Sequence, residues 1–151
     1  MKTVLWRGGI YMTIVCVDNT PIMLQSLKEN AQTAYPYADV QTFLTEAAAL
    51  EYSEKFGCDV LLCEINPPRL EGLFLAEKMK KINPRVDIIF VTVCSESEHA
   101  KAVMRLKPSG YLTKEATSAQ ILEELQNLRY PLPSIRGIHI YSDKVERLYG
   151  E

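Results

Sequence analysis

The chain has 151 residues, of which 47% are hydrophobic and 24% are charged, and its formal net charge is −2. This length suits one domain with a substantial core. The small negative charge provides no general attraction to nucleic acid or an anionic membrane, and no apolar stretch reaches the roughly 18–20 residues needed to span a bilayer. We therefore expect a cytoplasmic protein that by itself binds neither nucleic acid nor a membrane.

The cysteines support the same compartment. The chain has four, and their spacing does not match a metal-ligand pattern; they are Cys16, Cys58, Cys63 and Cys94. We expect them to act as small apolar residues in a reducing environment.

Residues 1–12 do not fit the periodicity that follows and are interpreted as an N-terminal extension. The run Arg7-Gly8-Gly9, three residues before Met12, can be encoded by a purine-rich stretch like a bacterial ribosome-binding site. Met12 is therefore a candidate for the natural start, and a genuine, loosely ordered extension is the alternative.

From Thr13 onward the chain alternates strand and helix patterns. Runs rich in apolar and β-branched residues predict strands at 13–17, 38–44, 59–64, 86–93 and 109–113. Capping and turn signals predict helices at 21–34, 46–56, 70–82, 96–106 and 118–128. The run Asp18-Asn19-Thr20-Pro21 is predicted to supply the N-cap of the first helix, and Thr45 and Thr117 are predicted to cap the second and fifth helices. The first helix is predicted to bury one face formed by Ile22, Leu24, Leu27, Ala31 and Ala34.

This alternation predicts an α/β fold with a doubly wound, five-stranded parallel sheet of the flavodoxin-like order, covering residues 13–129. The third and fourth strands are almost continuously apolar, as expected when both faces of a parallel sheet are covered. In such sheets, sites lie beyond the carboxyl ends of the strands, at the switch point between the first and third strands.

The predicted strand ends carry polar residues at this edge: Asp18 and Asn19, Glu64, Thr92, and Lys114. With Asn66 two residues after Glu64, Gly72 eight after it, and Tyr111 three before the lysine, the set resembles a CheY-like receiver domain of two-component response regulators. The resemblance extends from about residue 12 to residue 129. It implies that Glu64 stands at the phosphoacceptor position, which in the family is an aspartate.

Two departures concern the acids. The family usually has two adjacent acids after the first strand, and the second binds Mg²⁺ directly; here that position is Asn19. Glu64 places its carboxylate about one C–C bond further out, where phosphoryl transfer tolerates little displacement. Asp18 remains a weak metal ligand at best, with the backbone carbonyl of Asn66. We expect no cofactor, and Mg²⁺ binding that is weak or absent.

Two further departures from the receiver pattern also oppose phosphorylation. Val93 follows Thr92 where the family usually has a small residue, and it should narrow the entrance. Glu115 follows Lys114 where the family typically has proline. The sequence therefore predicts a degenerate receiver, or pseudo-receiver, that is not an enzyme.

The other polar residues at the strand ends are expected to interact with Glu64. Lys114 can pair with Glu64 without metal, and Thr92 can donate a hydrogen bond to the Glu64 carboxylate. Tyr111 would then be drawn inward, an arrangement that looks like an activated receiver. One interpretation is that Glu64 imitates the phosphorylated state; another is a relic charge that fixes one conformation. Residual phosphorylation remains an alternative.

A pseudo-receiver would act through protein contact, with a histidine kinase or an effector protein as partner, or as a homodimer. The predicted surface comprises the fourth helix, fifth strand and fifth helix, with Ala100, Val103, Met104, Leu106 and Tyr111.

Residues 130–151 are interpreted as a linker and short tail, with one strand predicted at 135–141. The junction resembles that of regulators that continue into a winged DNA-binding domain. A truncated transcriptional regulator and a phosphorylatable switch are therefore alternative functions.

Overall fold

The computed structural model describes residues 12–66, 69–93 and 99–130, together with the backbone of residues 134–135 and 138–139. The predicted leader, Cys94 and the first turn predicted for the fourth helix lie outside these residues. The strands are β1 Thr13–Val17, β2 Asp39–Phe43, β3 Val60–Cys63, β4 Asp87–Thr92, β5 Gly110–Thr113, β6 Ser134–Ile135 and β7 Ile138–His139. The helices are α1 Pro21–Ala34, α2 Glu46–Phe56, α3 Glu71–Ile82, α4 Ala100–Arg105 and α5 Ser118–Gln126.

The five long strands form one parallel sheet in the order β2-β1-β3-β4-β5. This confirms the predicted doubly wound α/β fold. The strands β3 and β4 are buried along their whole length because helices cover both faces of the sheet. Along β1, Ile14 and Cys16 face one apolar core while Val15 and Val17 face the other.

Caps and turn residues determine where the helices begin and end. The Thr45 side chain accepts a hydrogen bond from the Ala48 N–H at the start of α2, and Thr117 forms a capping box with Gln120 at the start of α5. Gly57 ends α2 with a φ of 84°, a conformation that favours glycine. The caps predicted at Thr45 and Thr117 are confirmed. At α1, Thr20 holds the N-cap position before Pro21, but its side chain accepts no capping hydrogen bond from the described residues of the helix.

The predicted apolar face of α1 is wrong at one position. Leu24, Leu27, Ala31 and Ala34 are buried, but Ile22 is 83% exposed. The buried residues follow the spacing of three and four of a helical face, whereas a residue two positions before Leu24 points to nearly the opposite side.

The C-terminal segment also differs from its prediction. The strands β6 and β7 pair antiparallel, with Ser134 opposite His139 and Ile135 opposite Ile138. The single strand predicted from 135 to 141 is therefore wrong, because Ile135 and Ile138 belong to two paired strands.

Among the residues that the structure describes, no helix is long and apolar enough to cross a membrane.

The start of α3 lies directly against the end of β3. A Cβ atom added to Gly72 would collide with the backbone carbonyl oxygen of Glu64, and the Gly72 N–H donates to the Ile65 carbonyl oxygen at 3.0 Å. Glycine is required here because the two backbones touch. This approach positions the segment that carries Glu64.

We predict that Gly72→Ala lowers the free energy of unfolding by about 1–3 kcal/mol or more, because the backbone must move to admit a methyl group. Gly110→Ala is the matched control, since a Cβ there would meet only the end of the flexible Glu124 side chain. Urea denaturation measures both. Equal losses in the two variants would contradict the assignment of a backbone constraint to Gly72.

Candidate functional site

Four polar residues from separate strand ends meet at the carboxyl edge of the sheet. Asp18 follows β1, Glu64 follows β3, Thr92 ends β4 and Lys114 follows β5. Asp18, Glu64 and Thr92 are buried, and Glu64 is only 3% exposed. The parallel arrangement brings these residues together because all four strands end at the same edge.

The Lys114 ammonium group joins the two acids. Its Nζ lies 2.8 Å from Oδ2 of Asp18 and 3.1 Å from Oε1 of Glu64. Partial burial lowers the pKa of Lys114, but the hydrogen bonds and negative charges of Asp18 and Glu64 outweigh it and hold this pKa above its ordinary value. The lysine is therefore charged throughout the physiological pH range and supplies one counter-charge to both acids.

The Glu64 carboxylate accepts four hydrogen bonds. Its Oε2 accepts from the Thr92 hydroxyl and, at 3.0 Å, from the Asn66 N–H. Its Oε1 accepts from the Val93 N–H at 3.1 Å and from Lys114. We call Glu64 with these four donors the Glu64 latch. A buried carboxylate is tolerated only when its oxygens are satisfied, and this one ties β3 to the ends of β4 and β5.

Asn66 connects the latch to α2. Its backbone is left-handed, with a φ of 63°, a conformation that asparagine adopts more readily than most residues. Its side-chain Nδ2 donates to Oε2 of Glu46, in the first turn of α2. Sequence reasoning missed Glu46, although it lies three residues after Phe43, where β2 ends at the same edge.

The acids of the site also act on a neighbouring cysteine. Burial raises the pKa of the Cys63 thiol well above its ordinary value, and the charges of Glu46, Glu64 and Asp18 raise it further. Cys63 is thus held as an unreactive thiol.

The sequence match to known families agrees with this geometry. The family model described as "Response regulator receiver domain" matches residues 14–126. The chain belongs to the response regulator receiver family. Receiver domains are signalling domains of two-component systems, and the fold described above is theirs.

Several known proteins resemble this receiver. This chain is 28% identical over 91 residues to the response regulator GacA of Pseudomonas syringae pv. syringae, and the match covers 58% of this chain and 42% of GacA. It is 27% identical over 113 residues to the transcriptional regulatory protein DegU of Brevibacillus brevis, covering 75% of this chain and 48% of DegU. The chain therefore spans about half the length of these curated relatives.

Solved structures show the same fold. A CheY-like receiver domain protein from Methanospirillum hungatei superimposes with a TM-score of 0.68 at 24% sequence identity, covering 77% of this chain and 91% of that one.

The oxygens that Mg²⁺ would use in this receiver already have other partners. Oδ1 of Asp18 accepts from the Thr20 N–H at 2.9 Å and its Oδ2 pairs with Lys114, while the Asn66 carbonyl oxygen accepts from the Leu70 N–H at 2.8 Å. Both Glu64 oxygens are engaged in the latch. A hard dication prefers carboxylate and water oxygens, and here the neighbouring acids already surround an ammonium group.

Three residues that were expected to alter the site lie at its rim. Asn19 is exposed, and its Oδ1 accepts from the Thr20 hydroxyl at 3.2 Å, so it does not join the latch. Val93 contributes its backbone N–H, while its side chain lies largely in solvent. Glu115 is exposed, and its Oε1 accepts from the Thr113 hydroxyl at 3.3 Å.

The predicted interaction surface is smaller than expected. Val103 and Leu106 are buried in the core, so their assignment to an exposed surface is wrong; their side chains cover the sheet. Met104 is 69% exposed and Ala100 is half-buried. Tyr111 is 36% exposed and packs its ring edge-on against buried Phe90, so it is not drawn fully inward.

We predict that Lys114→Met lowers the free energy of unfolding by about 3–5 kcal/mol, because two buried carboxylates lose their common counter-charge. The matched control is Lys101→Met, at an exposed position on α4. Thermal and urea unfolding provide the comparison. An unchanged stability in Lys114→Met would show that the ion pair does not hold the site together.

Proposed function

We propose that this receiver works without phosphorylation and signals through protein contact. The observation that carries the proposal is the Glu64 latch. In the latch, the Glu64 carboxylate accepts hydrogen bonds from the Thr92 hydroxyl, the Val93 N–H and the Lys114 ammonium group. These donors are suited to any anion at this position, and Glu64 supplies that anion from its own side chain.

The same contacts oppose phosphoryl transfer to Glu64. A nucleophilic oxygen must be free and in line with the phosphoryl group, and about 1 Å of displacement costs on the order of 10²-fold in rate. Both Glu64 oxygens are engaged by donors. Asn19 supplies no carboxylate to bind Mg²⁺. On this proposal the domain is a pseudo-receiver with Mg²⁺ binding that is weak or absent, and it is not an enzyme.

In this proposal the latch holds the end of β4 as in an activated receiver, although Tyr111 is not drawn fully inward with it. The Thr92 hydroxyl and the Val93 N–H hold the end of β4 toward β3, as an anion at the acceptor position would hold it. The partner is an effector protein or a histidine kinase in the cytoplasm.

A second candidate function is the receiver part of a transcriptional regulator. The observation that favours it is the similarity to DegU, a transcriptional regulatory protein, of which this chain spans about half. An effector-domain reading frame directly downstream in the source genome would support this candidate, and its absence there would exclude it.

We predict that the wild-type receiver forms no covalent adduct with acetyl phosphate and Mg²⁺, and no complex with beryllofluoride. Intact mass spectrometry and ¹⁹F NMR measure the two outcomes. The physical reason is that Glu64 already occupies the donors a phosphoryl group would need. A labile adduct of about one phosphoryl group per chain would overturn the proposal in favour of a phosphorylatable switch.

The control is the double variant Asn19→Asp, Glu64→Asp. Shortening residue 64 and restoring the second acid should permit beryllofluoride binding that depends on Mg²⁺. A complex in this variant, with none in the wild type, would attribute the lost chemistry to these two positions.

We also propose that α4, β5 and α5 form a homodimer surface in which Met104 and Tyr111 supply the exposed apolar side chains.

We predict that Met104→Glu raises the dissociation constant of the dimer by about tenfold or more, because the substitution would bury a charge in the interface. Sedimentation equilibrium measures it. Phe74→Glu is the control, because Phe74 is similarly exposed on α3. A wild-type chain that stays monomeric at high concentration contradicts the proposal.

A further inference from the structure

The amino end of β4 carries a second buried carboxylate, at the edge of the sheet opposite the latch. Asp87 is the first residue of β4, and its Oδ1 accepts from the Ser109 hydroxyl, the Arg129 N–H at 2.8 Å and the Tyr130 N–H at 3.1 Å. Ser109 precedes β5, while Arg129 and Tyr130 follow α5. Asp87 therefore binds the backbone of the segment through which the chain leaves the domain.

The side chains of that segment add contacts. Nε of Arg129 donates to the Lys107 carbonyl oxygen at 3.1 Å, and its Nη2 donates to the Pro108 carbonyl oxygen at 3.3 Å. The hydroxyl of Tyr130 accepts from Nζ of Lys80 at 3.3 Å, and that Nζ lies 4.7 Å from the centre of the tyrosine ring.

The Lys80 ammonium group is itself positioned by the turn that leads into β4. Its Nζ donates to the carbonyl oxygen of Val86 at 3.2 Å and to that of Pro84 at 3.4 Å. The guanidinium of Arg85 lies 5.4 Å from the centre of the Tyr130 ring. The exit segment is thus held by three parts of the receiver: the end of α3, the start of β4 and the turn before β5.

A single strand joins this cluster to the latch. Asp87 begins β4 and Thr92 ends it, and every residue between them is buried. A strand of this length spans about 17 Å at roughly 3.3 Å per residue. It pairs with β3 on one side and β5 on the other, so backbone hydrogen bonds to both neighbours support it between its two ends.

We propose that Asp87, Ser109, Arg129 and Tyr130 form an exit clasp, the output end of β4, and that the Glu64 latch, which holds the other end of this strand, strengthens the hold of the clasp on the chain that leaves the domain. The inference rests on the proposed function, because the latch is what positions the far end of the strand. The clasp would give a downstream segment or partner a defined direction relative to the receiver.

The test is amide hydrogen exchange by NMR at the Arg129 and Tyr130 N–H groups in the full chain, each normalised to the Ile89 amide of β4. Normalisation separates loss of the clasp from global unfolding. We expect Asp87→Asn to lower protection at both amides by about 10- to 100-fold, because their acceptor loses its charge. Ser109→Ala is a milder variant, with a smaller loss, if Asp87→Asn does not fold.

The control is Asp59→Asn. Asp59 lies at the same edge, and its Oδ2 accepts from the Thr13 N–H at 2.8 Å, but it has no hydrogen bond to the exit segment among the described residues. This variant should leave the Arg129 and Tyr130 amides unchanged. Equal losses in the Asp59 and Asp87 variants would overturn the clasp.

The link through β4 is tested by Thr92→Val, which removes the latch hydroxyl at the other end of the strand. We expect normalised protection at Arg129 and Tyr130 to fall by about 2- to 30-fold. Unchanged protection would overturn the output role of β4, even if Asp87→Asn supported the clasp. Failure of the proposed function would instead appear as a phosphoryl adduct in wild-type protein.

Discussion

The receiver depends on how one buried carboxylate is satisfied. Glu64 follows β3, a strand that helices cover on both faces of the sheet, and its side chain is buried. Burying an ion is costly unless donors and a counter-charge compensate, and here the donors come from β4, β5 and the β3–α3 loop. The parallel sheet brings Thr92, Lys114 and Asn66 to this edge, and their hydrogen bonds compensate the buried charge of Glu64.

The same physical solution recurs at the opposite edge of the sheet. Asp87 is also a buried carboxylate, and its donors are the backbone of the exit segment and the Ser109 hydroxyl. Burial raises the pKa of Asp87, and the hydrogen bonds from Ser109, Tyr130 and Arg129 lower it in part. Both ends of β4 are therefore held by charge-assisted hydrogen bonds to segments outside the sheet. The strand β4 therefore runs from the exit segment at one edge of the sheet to the Glu64 latch at the other.

Local patterns predicted the elements well because their signals are local. The caps at Thr45 and Thr117 and the β-branched run of β4 depend on neighbours within a few residues, and the structure has them where the sequence placed them. The errors arose where burial depends on distant elements. Ile22 is apolar but lies off the buried face of α1, and Val103 faces the sheet although its helix looked like an exposed surface.

The sequence by itself determined the family, the order of strands and helices, and which polar residues stand at the strand ends, since strand periodicity and residue spacing are properties of the chain alone. The tertiary structure decided the partners of those residues. It brought Glu46 to Asn66 and placed the Val93 N–H on Glu64, and it attached Tyr130 to Asp87, which lies 43 residues earlier. Such contacts join segments far apart in sequence, and their geometry exists only once the sheet has assembled and water has been excluded.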